Sequence, residues 1–297
     1  MDRIPPTSDL AFKKVFTSEE SKDILAGLIE DFFEVEALEL AIEKPYSIAI
    51  CKEFVENQEV SRLRETLKDV AATFKIADFV SEMQVHKALF FDERSIYYPL
   101  ERFCKNYARA GHMTLNADGK PYLYSSLRPE YALNILGYNH YRDDAEALRI
   151  FELYDPKRSK SFGKKLLRFG YFELSKPEVE TANQKHWQDY FNTGVANPDA
   201  PDYIKKASSI IDWLNLTEEE RTVFSTLERL EANDLAERGY VYEEGKAEGI
   251  ALGKTEGIAL GKDNKAVEVA KSMLEADEPL EKIAKYTGLS YKAIKTL

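Results

Sequence analysis

Apolar residues near the start of the chain recur every three or four positions, which is the spacing of an amphipathic helix. Residues 7–33 therefore predict two helices, and Ser8 or Asp9 is placed to cap the first one. Residues 37–50 look extended instead. The chain is expected to begin with two packed helices followed by a short extended segment.

Two runs rich in Val, Thr, Phe and Ile follow, at Thr66–Lys75 and Phe79–His86. The three residues between them predict a tight connection, so the two runs are expected to pair as neighbouring strands. Residues 88–110 then carry a broad apolar stripe with charged residues between, which predicts a long helix. Tyr97 and Tyr98 on this helix are expected in the core.

Strand-like and helical segments also alternate in the second half of the chain. Further strands are predicted at Tyr131–Tyr138, Leu148–Tyr154 and Leu166–Leu174, and helices at 187–191, 204–214 and 218–238. This order predicts an α/β body followed by an all-helical C-terminal tail.

The tail carries an internal repeat, with Gly-Lys-Ala-Glu-Gly-Ile-Ala-Leu at 245–252 and Gly-Lys-Thr-Glu-Gly-Ile-Ala-Leu at 253–260. Glycine at every fourth position sets a stripe of small residues along one side of a helix. Each glycine costs about 1 kcal/mol of helix propensity relative to alanine, and close packing against another helix would offset that cost. The alternative is a flexible, weakly helical linker.

Two helical segments close the chain. Asn264–Glu275 predicts an amphipathic helix, and 280–297 has the helix, Thr-Gly-Leu-Ser turn and second helix of a helix-turn-helix. Such units read DNA through a basic second helix. Because the second helix here is short, a packing or dimerisation unit is the favoured interpretation.

The composition allows a sizeable core, since 44% of the 297 residues are hydrophobic. Cys51 and Cys104 show no disulfide or zinc spacing. With no signal-peptide pattern and no apolar stretch of about 18 residues, a cytoplasmic protein without a membrane segment is expected.

The net charge of -11 argues against a protein coated in basic charge. The acidic excess is local, however. Residues 17–43 hold 1 basic and 9 acidic residues, and 215–248 hold 4 and 10, whereas 86–128 hold 7 and 4, and 157–185 hold 8 and 3. A DNA-binding cleft needs a positive stripe and not a positive total, so the two basic segments are expected to flank the site.

Asp69 and the Glu82-Met83-Gln84 segment are the main candidates for chemistry. Side chains two apart on a strand share a face, so Glu82 and Gln84 lie together and Asp69 can meet them across the strand pair. Two carboxylates at one point suit a hard cation such as Mg²⁺, which can activate a water and stabilise phosphoryl charge. Ordinary solvated strand residues are the alternative.

Several of these features together resemble one known family. They are the opening Pro6–Phe16, Asp69 with Glu82 and Gln84, the Arg94–Tyr98 helix and the Gly-Lys-x-Glu-Gly-Ile tail. In this order they resemble the PD-(D/E)XK nuclease family transposases, also called the Rpn family of recombination-promoting nucleases. The resemblance implies a restriction-endonuclease-like core, a mixed sheet flanked by helices, that hydrolyses DNA with a divalent metal, Mg²⁺ or in its place Mn²⁺ or Ca²⁺.

By this resemblance Asp69 and Glu82 are catalytic metal ligands, and Gln84 stands where the wider superfamily has lysine. Glutamine carries no charge and cannot act as a base, but its amide can hold a water. The resemblance also offers Asp9 as a third carboxylate, with helix capping as the alternative, and places Arg94 beside the site, where it could hold the scissile phosphate.

Two other charged or titratable residues have simpler expected positions. Lys13 is expected on a solvated helix face, with phosphate contact as the alternative. His86 is equally consistent with a surface residue at the strand end and with a general base in catalysis.

The expected organisation is a nuclease-like domain at 1–200, a helical extension at 201–240 and an oligomerisation tail at 241–297. The expected function is a metal-dependent DNA endonuclease in recombination, transposition or phage defence, forming a homo-oligomer through its C-terminal helices. The alternative is a weakly active or inactive nuclease fold that works as an oligomeric DNA- or protein-binding module.

Overall fold

The computed structural model describes residues 3–57, 59, 69–109, 111, 113–162 and 164–297, with the backbone alone at Asp69, Glu231, Asp234 and Arg238. Two compact units make up the chain, Met1–Leu227 and Glu228–Leu297. The first unit contains the main sheet.

A six-stranded mixed sheet organises the first unit, in the order β1-β2-β3-β6-β10-β7. Its strands are β1 (Ala41–Glu43), β2 (Asp69–Thr73), β3 (Asp78–Gln84), β6 (Glu130–Leu136), β7 (Leu148–Glu152) and β10 (Leu167–Glu173). The pairs β3–β6 and β6–β10 are parallel, while the other pairs are antiparallel. Two small hairpins add β4 (Thr114–Leu115) with β5 (Pro121–Tyr122), and β8 (Tyr154–Asp155) with β9 (Lys160–Ser161).

Helices cover both faces of the sheet. In chain order they are α1 (Asp9–Thr17), α2 (Lys22–Phe33), α3 (Ile48–Glu56), α4 (Phe91–Lys105), α5 (Ala182–Thr193), α6 (Asp202–Ile210), α7 (Glu218–Glu275), α8 (Leu280–Thr287) and α9 (Tyr291–Ile294). The mixed sheet, its flanking helices and the helical C-terminal segment confirm the predicted fold class.

The main core lies between one sheet face and the N-terminal helices. Val70, Ala72, Phe79 and Met83 alternate along β2 and β3 and are buried in the same cluster as the apolar residues of α1 and α2. Burying every second residue of a strand leaves the intervening residues for the other face. Glu82 lies on that second face, which α4 covers.

Some predicted elements differ from the structure. The extended segment at 37–50 shortens to β1, because α3 begins at Ile48. The helix predicted at 88–110 begins only at Phe91, because Phe90 has a left-handed backbone with φ 58° that cannot continue a helix. Residues 66–68 of the predicted first strand lie outside the described residues.

The expectation that Tyr97 and Tyr98 are core residues was wrong. Their side chains are 60% and 45% exposed, and their rings contact each other. The buried face of α4 is formed instead by Phe91, Ser95 and Pro99. The wide apolar stripe in the sequence therefore overestimated how much of α4 faces the sheet.

In the second unit, the repeat and the segment Asn264–Glu275 belong to the single long helix α7. The predicted helix-turn-helix is present as α8 and α9, joined through Gly288 with φ 73°. Ala270, Ile283 and Ile294 form its small core. In the described part of the chain, no helix has the length and apolarity needed to cross a membrane.

Candidate active site

The antiparallel pair β2–β3 brings the two predicted carboxylate positions together. Asp69, the first residue of β2, is the register partner of Glu82, near the end of β3. The strand connection is tight, with the Phe74 backbone N–H donating to the Ala77 carbonyl at 2.9 Å. Local strand pairing thus places Asp69 and Glu82 side by side at one end of the hairpin.

The parallel strand β6 adds a residue that the sequence did not indicate. Asn134 is the register partner of Glu82 on the other side of β3. It is buried, and its amide nitrogen donates to the Gly170 carbonyl at 3.3 Å. No local signal could have revealed Asn134, because its place depends on pairing between strands about fifty residues apart.

Helix α4 places the positively charged Arg94 side chain beside Glu82 and Gln84. The Arg94 guanidinium donates to the Glu82 carboxylate and, at 3.1 Å, to the Gln84 side-chain oxygen. The Gln84 amide nitrogen donates in turn to the His86 carbonyl at 2.6 Å. This pair of bonds fixes the orientation of the Gln84 amide, with its oxygen towards Arg94 and its nitrogen towards the chain that leaves β3.

Glu82, Arg94 and Asn134 line a small cavity of about 20 Å³ beneath α4, together with Tyr98. A cavity of this size can hold one water molecule. Glu82 is only 13% exposed in its side chain and Arg94 is 33% exposed. The predicted site residues Glu82 on β3 and Arg94 on α4 therefore meet in a partly enclosed position that opens to the surface.

Tyr138 lies just beyond β6, close to these charges. Burial raises the pKa of its hydroxyl, and the negative charges of Asp92 and Glu82 add to the rise while Arg94 opposes it. Its hydroxyl oxygen is buried and has no hydrogen-bond partner among the described residues. Tyr138 is a second polar group that the sequence did not single out.

The candidates on α1 have mixed outcomes. Ser8, not Asp9, caps the helix, since its hydroxyl accepts from the Ala11 backbone N–H at 3.3 Å. Asp9 is half-buried in the first turn. The expectation of a solvated Lys13 was wrong, because Lys13 is 3% exposed on a helix that contacts β2. His86 is exposed at the end of β3.

A different charged cluster lies at the opposite end of β3 and β6. Asp78 and Glu130 are register partners there, and both are buried. Arg128 lies 3.4 Å from Asp78, and Arg102 donates to Glu130 at 3.0 Å. Burial raises the pKa of Glu130 to about 8, against the opposing pull of Arg102 and with a further rise from Asp78.

The basic segment at 157–185 begins on the β8–β9 hairpin, where Lys157 and Lys160 are exposed. This hairpin follows β7, which ends at Glu152. Glu152 is the register partner of Arg168, near the start of β10. Because β10 runs parallel to β6 and β3, the hairpin lies at the end of the sheet away from Gln84. This part of the basic charge therefore does not flank the Glu82 site, contrary to expectation.

The described residues contain no group of three or more His, Cys, Asp or Glu side chains placed to hold a metal ion. Two carboxylate positions remain at Asp69 and Glu82. Such a pair fits Mg²⁺, which binds through one or two carboxylates and keeps several of its waters. The donor set therefore fits a hard cation and not a soft one such as zinc.

Comparison with known proteins adds one match. A family model described as PD-(D/E)XK nuclease family transposase matches residues 6–235, which covers the whole sheet and the start of α7. Comparisons with curated proteins and with solved structures found no match.

Proposed function

The chain belongs to the PD-(D/E)XK nuclease family transposases, and on this premise we propose that it is a metal-dependent DNA endonuclease that hydrolyses phosphodiester bonds. The observation that carries the proposal is the register of Asp69 opposite Glu82, with Arg94 bonded to Glu82 and Gln84. Carboxylates with an adjacent guanidinium match the needs of phosphoryl chemistry, where the metal and the arginine both neutralise phosphate oxygens.

In this proposal Asp69 and Glu82 hold the divalent cation, with Mg²⁺ as the first choice and Mn²⁺ or Ca²⁺ as alternatives. When bound, the cation supplies a water of lowered pKa and charge stabilisation at the phosphate. Asp9 is a further carboxylate candidate from α1. Asn134 is buried beside Glu82, where its amide nitrogen donates to the Gly170 carbonyl.

Arg94 and Gln84 have separate proposed roles. Arg94 neutralises Glu82 in the free protein and presents its planar donors to a phosphate when DNA is bound, since guanidinium binds phosphate through paired hydrogen bonds. Gln84 carries no charge, so it acts by holding a water or phosphate oxygen through its oriented amide. Because it replaces the lysine of the wider superfamily, a low rate of cleavage is expected.

The test is a plasmid assay with purified full-length protein and Mg²⁺ or Mn²⁺. We expect nicking or linearisation of supercoiled DNA, and its loss in Asp69→Ala and in Glu82→Ala. Arg229→Ala, an exposed arginine on α7, is the matched control and should cleave normally. Equal cleavage by the wild type and both carboxylate variants would contradict the assignment. DNA binding without cleavage would favour the alternative of a binding module.

We further propose that the chain forms a homo-oligomer through α7. Gly245, Gly249, Gly253, Gly257 and Gly261 face open space among the described residues. In each repeat an isoleucine and a leucine are also more than half exposed, at Ile250 and Leu252 and at Ile258 and Leu260. A helix that leaves these apolar side chains and a small-residue stripe uncovered is suited to close packing against a second copy.

A further inference from the structure

An open cavity of about 300 Å³ lies at the N-terminal end of α4. Residues 87–93, Tyr138 and His140 line it, and we term it the base cavity. Its volume is at the lower end of the range for small-ligand sites. The lining segment 87–93 lies between Gln84 and Arg94 in the sequence. It starts three residues after Gln84 and ends at the residue before Arg94.

Aromatic rings form one wall of the base cavity. Phe91, Tyr138 and His140 pack edge to face, with ring centroids 5.4 to 6.4 Å apart. The Lys87 ammonium lies 5.6 Å from the centre of the Tyr138 ring. A close approach of backbones keeps Tyr138 in place, since a Cβ at Gly137 would lie 3.1 Å from the Val85 carbonyl oxygen.

Two apolar side chains project at the rim. Leu89 is 86% exposed and Phe90 is 74% exposed. Phe90 also has φ 58° and ψ 32°, a left-handed conformation that is costly for a bulky residue. Such backbone strain concentrates at binding and catalytic sites. An exposed aromatic residue held in an unfavourable backbone conformation beside the site indicates a contact surface for a ligand.

The polar groups of the base cavity favour an uncharged aromatic ligand. Asp92 is paired with His140 at 2.7 Å. The lining holds two carboxylates, those of Asp92 and Glu93, and one ammonium, that of Lys87, so there is no surplus positive charge for a phosphate. Tyr138 lines the cavity, and its hydroxyl has no hydrogen-bond partner among the described residues. Stacking surfaces with one or two hydrogen-bonding groups are how proteins bind unstacked nucleobases.

We propose that the base cavity binds one unstacked nucleobase of the DNA strand, next to the phosphate that Arg94 contacts. Phe90 stacks on the base, and the Tyr138 hydroxyl bonds to its edge. The inference rests on the proposed function, because DNA is the ligand of this face. It adds that the protein prefers DNA with a base already displaced from the helix, since displacing a paired base costs free energy.

The experiment measures binding by full-length protein to two duplexes of the same sequence, in EDTA so that neither duplex is cleaved. One duplex is fully paired, and the other carries a single extrahelical 2-aminopurine. We expect the wild type to bind the second duplex more tightly and to quench 2-aminopurine fluorescence by stacking. Phe90→Ala should lower this preference roughly 5- to 140-fold, the range expected for loss of one aromatic stacking contact. Tyr138→Phe, which removes only the hydroxyl, should lower it by about 2- to 12-fold.

The matched control is Tyr124→Ala, which removes an aromatic residue that is 75% exposed and lies before the start of β6, away from the site. It should keep the wild-type preference. Because the readout is a ratio of two affinities, a general loss of folded protein or of phosphate binding does not change it. Thermal unfolding of each variant confirms that it is folded.

The outcomes separate the inference from the proposed function. If the wild type cleaves DNA but shows no preference for the extrahelical base, or if Phe90→Ala keeps the preference, the base cavity inference is wrong and the endonuclease proposal stands. If the wild type binds with a Phe90-dependent preference but cleaves nothing, the inference stands and the endonuclease proposal is wrong. If the wild type binds neither duplex, both are wrong.

Discussion

We predict that removing the contact of Arg94 with Glu82 has opposite effects on metal binding and on DNA cleavage. Arg94 occupies a carboxylate that the proposed cation would use, so the guanidinium and the cation compete for Glu82. Arg94→Ala removes this competitor. We therefore expect the variant to bind divalent metal more tightly than the wild type, although it cleaves DNA more slowly because a phosphate contact is lost.

The size of the expected change in metal affinity follows from the solvent exposure of the Arg94–Glu82 pair. A hydrogen bond to a charged group contributes about 1.5–3 kcal/mol, and the lower value applies because the Arg94 side chain is 33% exposed and water screens it. At about 1.4 kcal/mol per factor of ten, metal affinity should rise by up to about tenfold. Loss of one charge-assisted phosphate contact should lower cleavage at saturating metal by at least about tenfold.

Metal affinity is measured by calorimetric titration of Mn²⁺ into DNA-free protein, and cleavage by plasmid nicking at saturating Mn²⁺. Arg94→Lys keeps the charge but not the paired donors, so its cleavage should fall between those of the wild type and Arg94→Ala. Arg229→Ala again serves as the control and should change neither quantity. A metal affinity that is unchanged or weaker in Arg94→Ala would refute the competition, and unchanged cleavage would refute the phosphate contact.

Two other predictions concern the tail and the buried carboxylates. Truncation after Gly239 should convert the oligomer to a monomer in light scattering. An unchanged number of chains per particle would contradict the packing of α7. For Glu130, the pKa of about 8 in the folded protein exceeds that of the unfolded chain, so folding takes up a proton and stability falls as pH rises from about 4.5 to 8. Denaturant titration at several pH values should show a flatter profile for Glu130→Gln, and an equally steep profile would show that another group titrates.

The fold was largely predictable because its signals are local. The three-to-four spacing at 7–33 predicted α1 and α2, and the β-rich runs predicted the hairpin that contains Glu82. Hydrophobic periodicity reports which face of an element is buried, and this depends on neighbours in sequence. The periodicity failed at α4, where Tyr97 and Tyr98 extend the stripe beyond the face that the sheet covers.

The hairpin and the opposition of Asp69 and Glu82 follow from the residues of β2 and β3 alone, since antiparallel neighbours joined by a short turn have their register set by that turn and by the alternation of buried residues. The position of Asn134 beside Glu82 and the bond from Arg94 to Glu82 arise from tertiary packing. It also brought Tyr138 towards the site. These contacts depend on the parallel pairing of β3 with β6 and on the packing of α4, which involve residues distant in sequence and leave no local pattern.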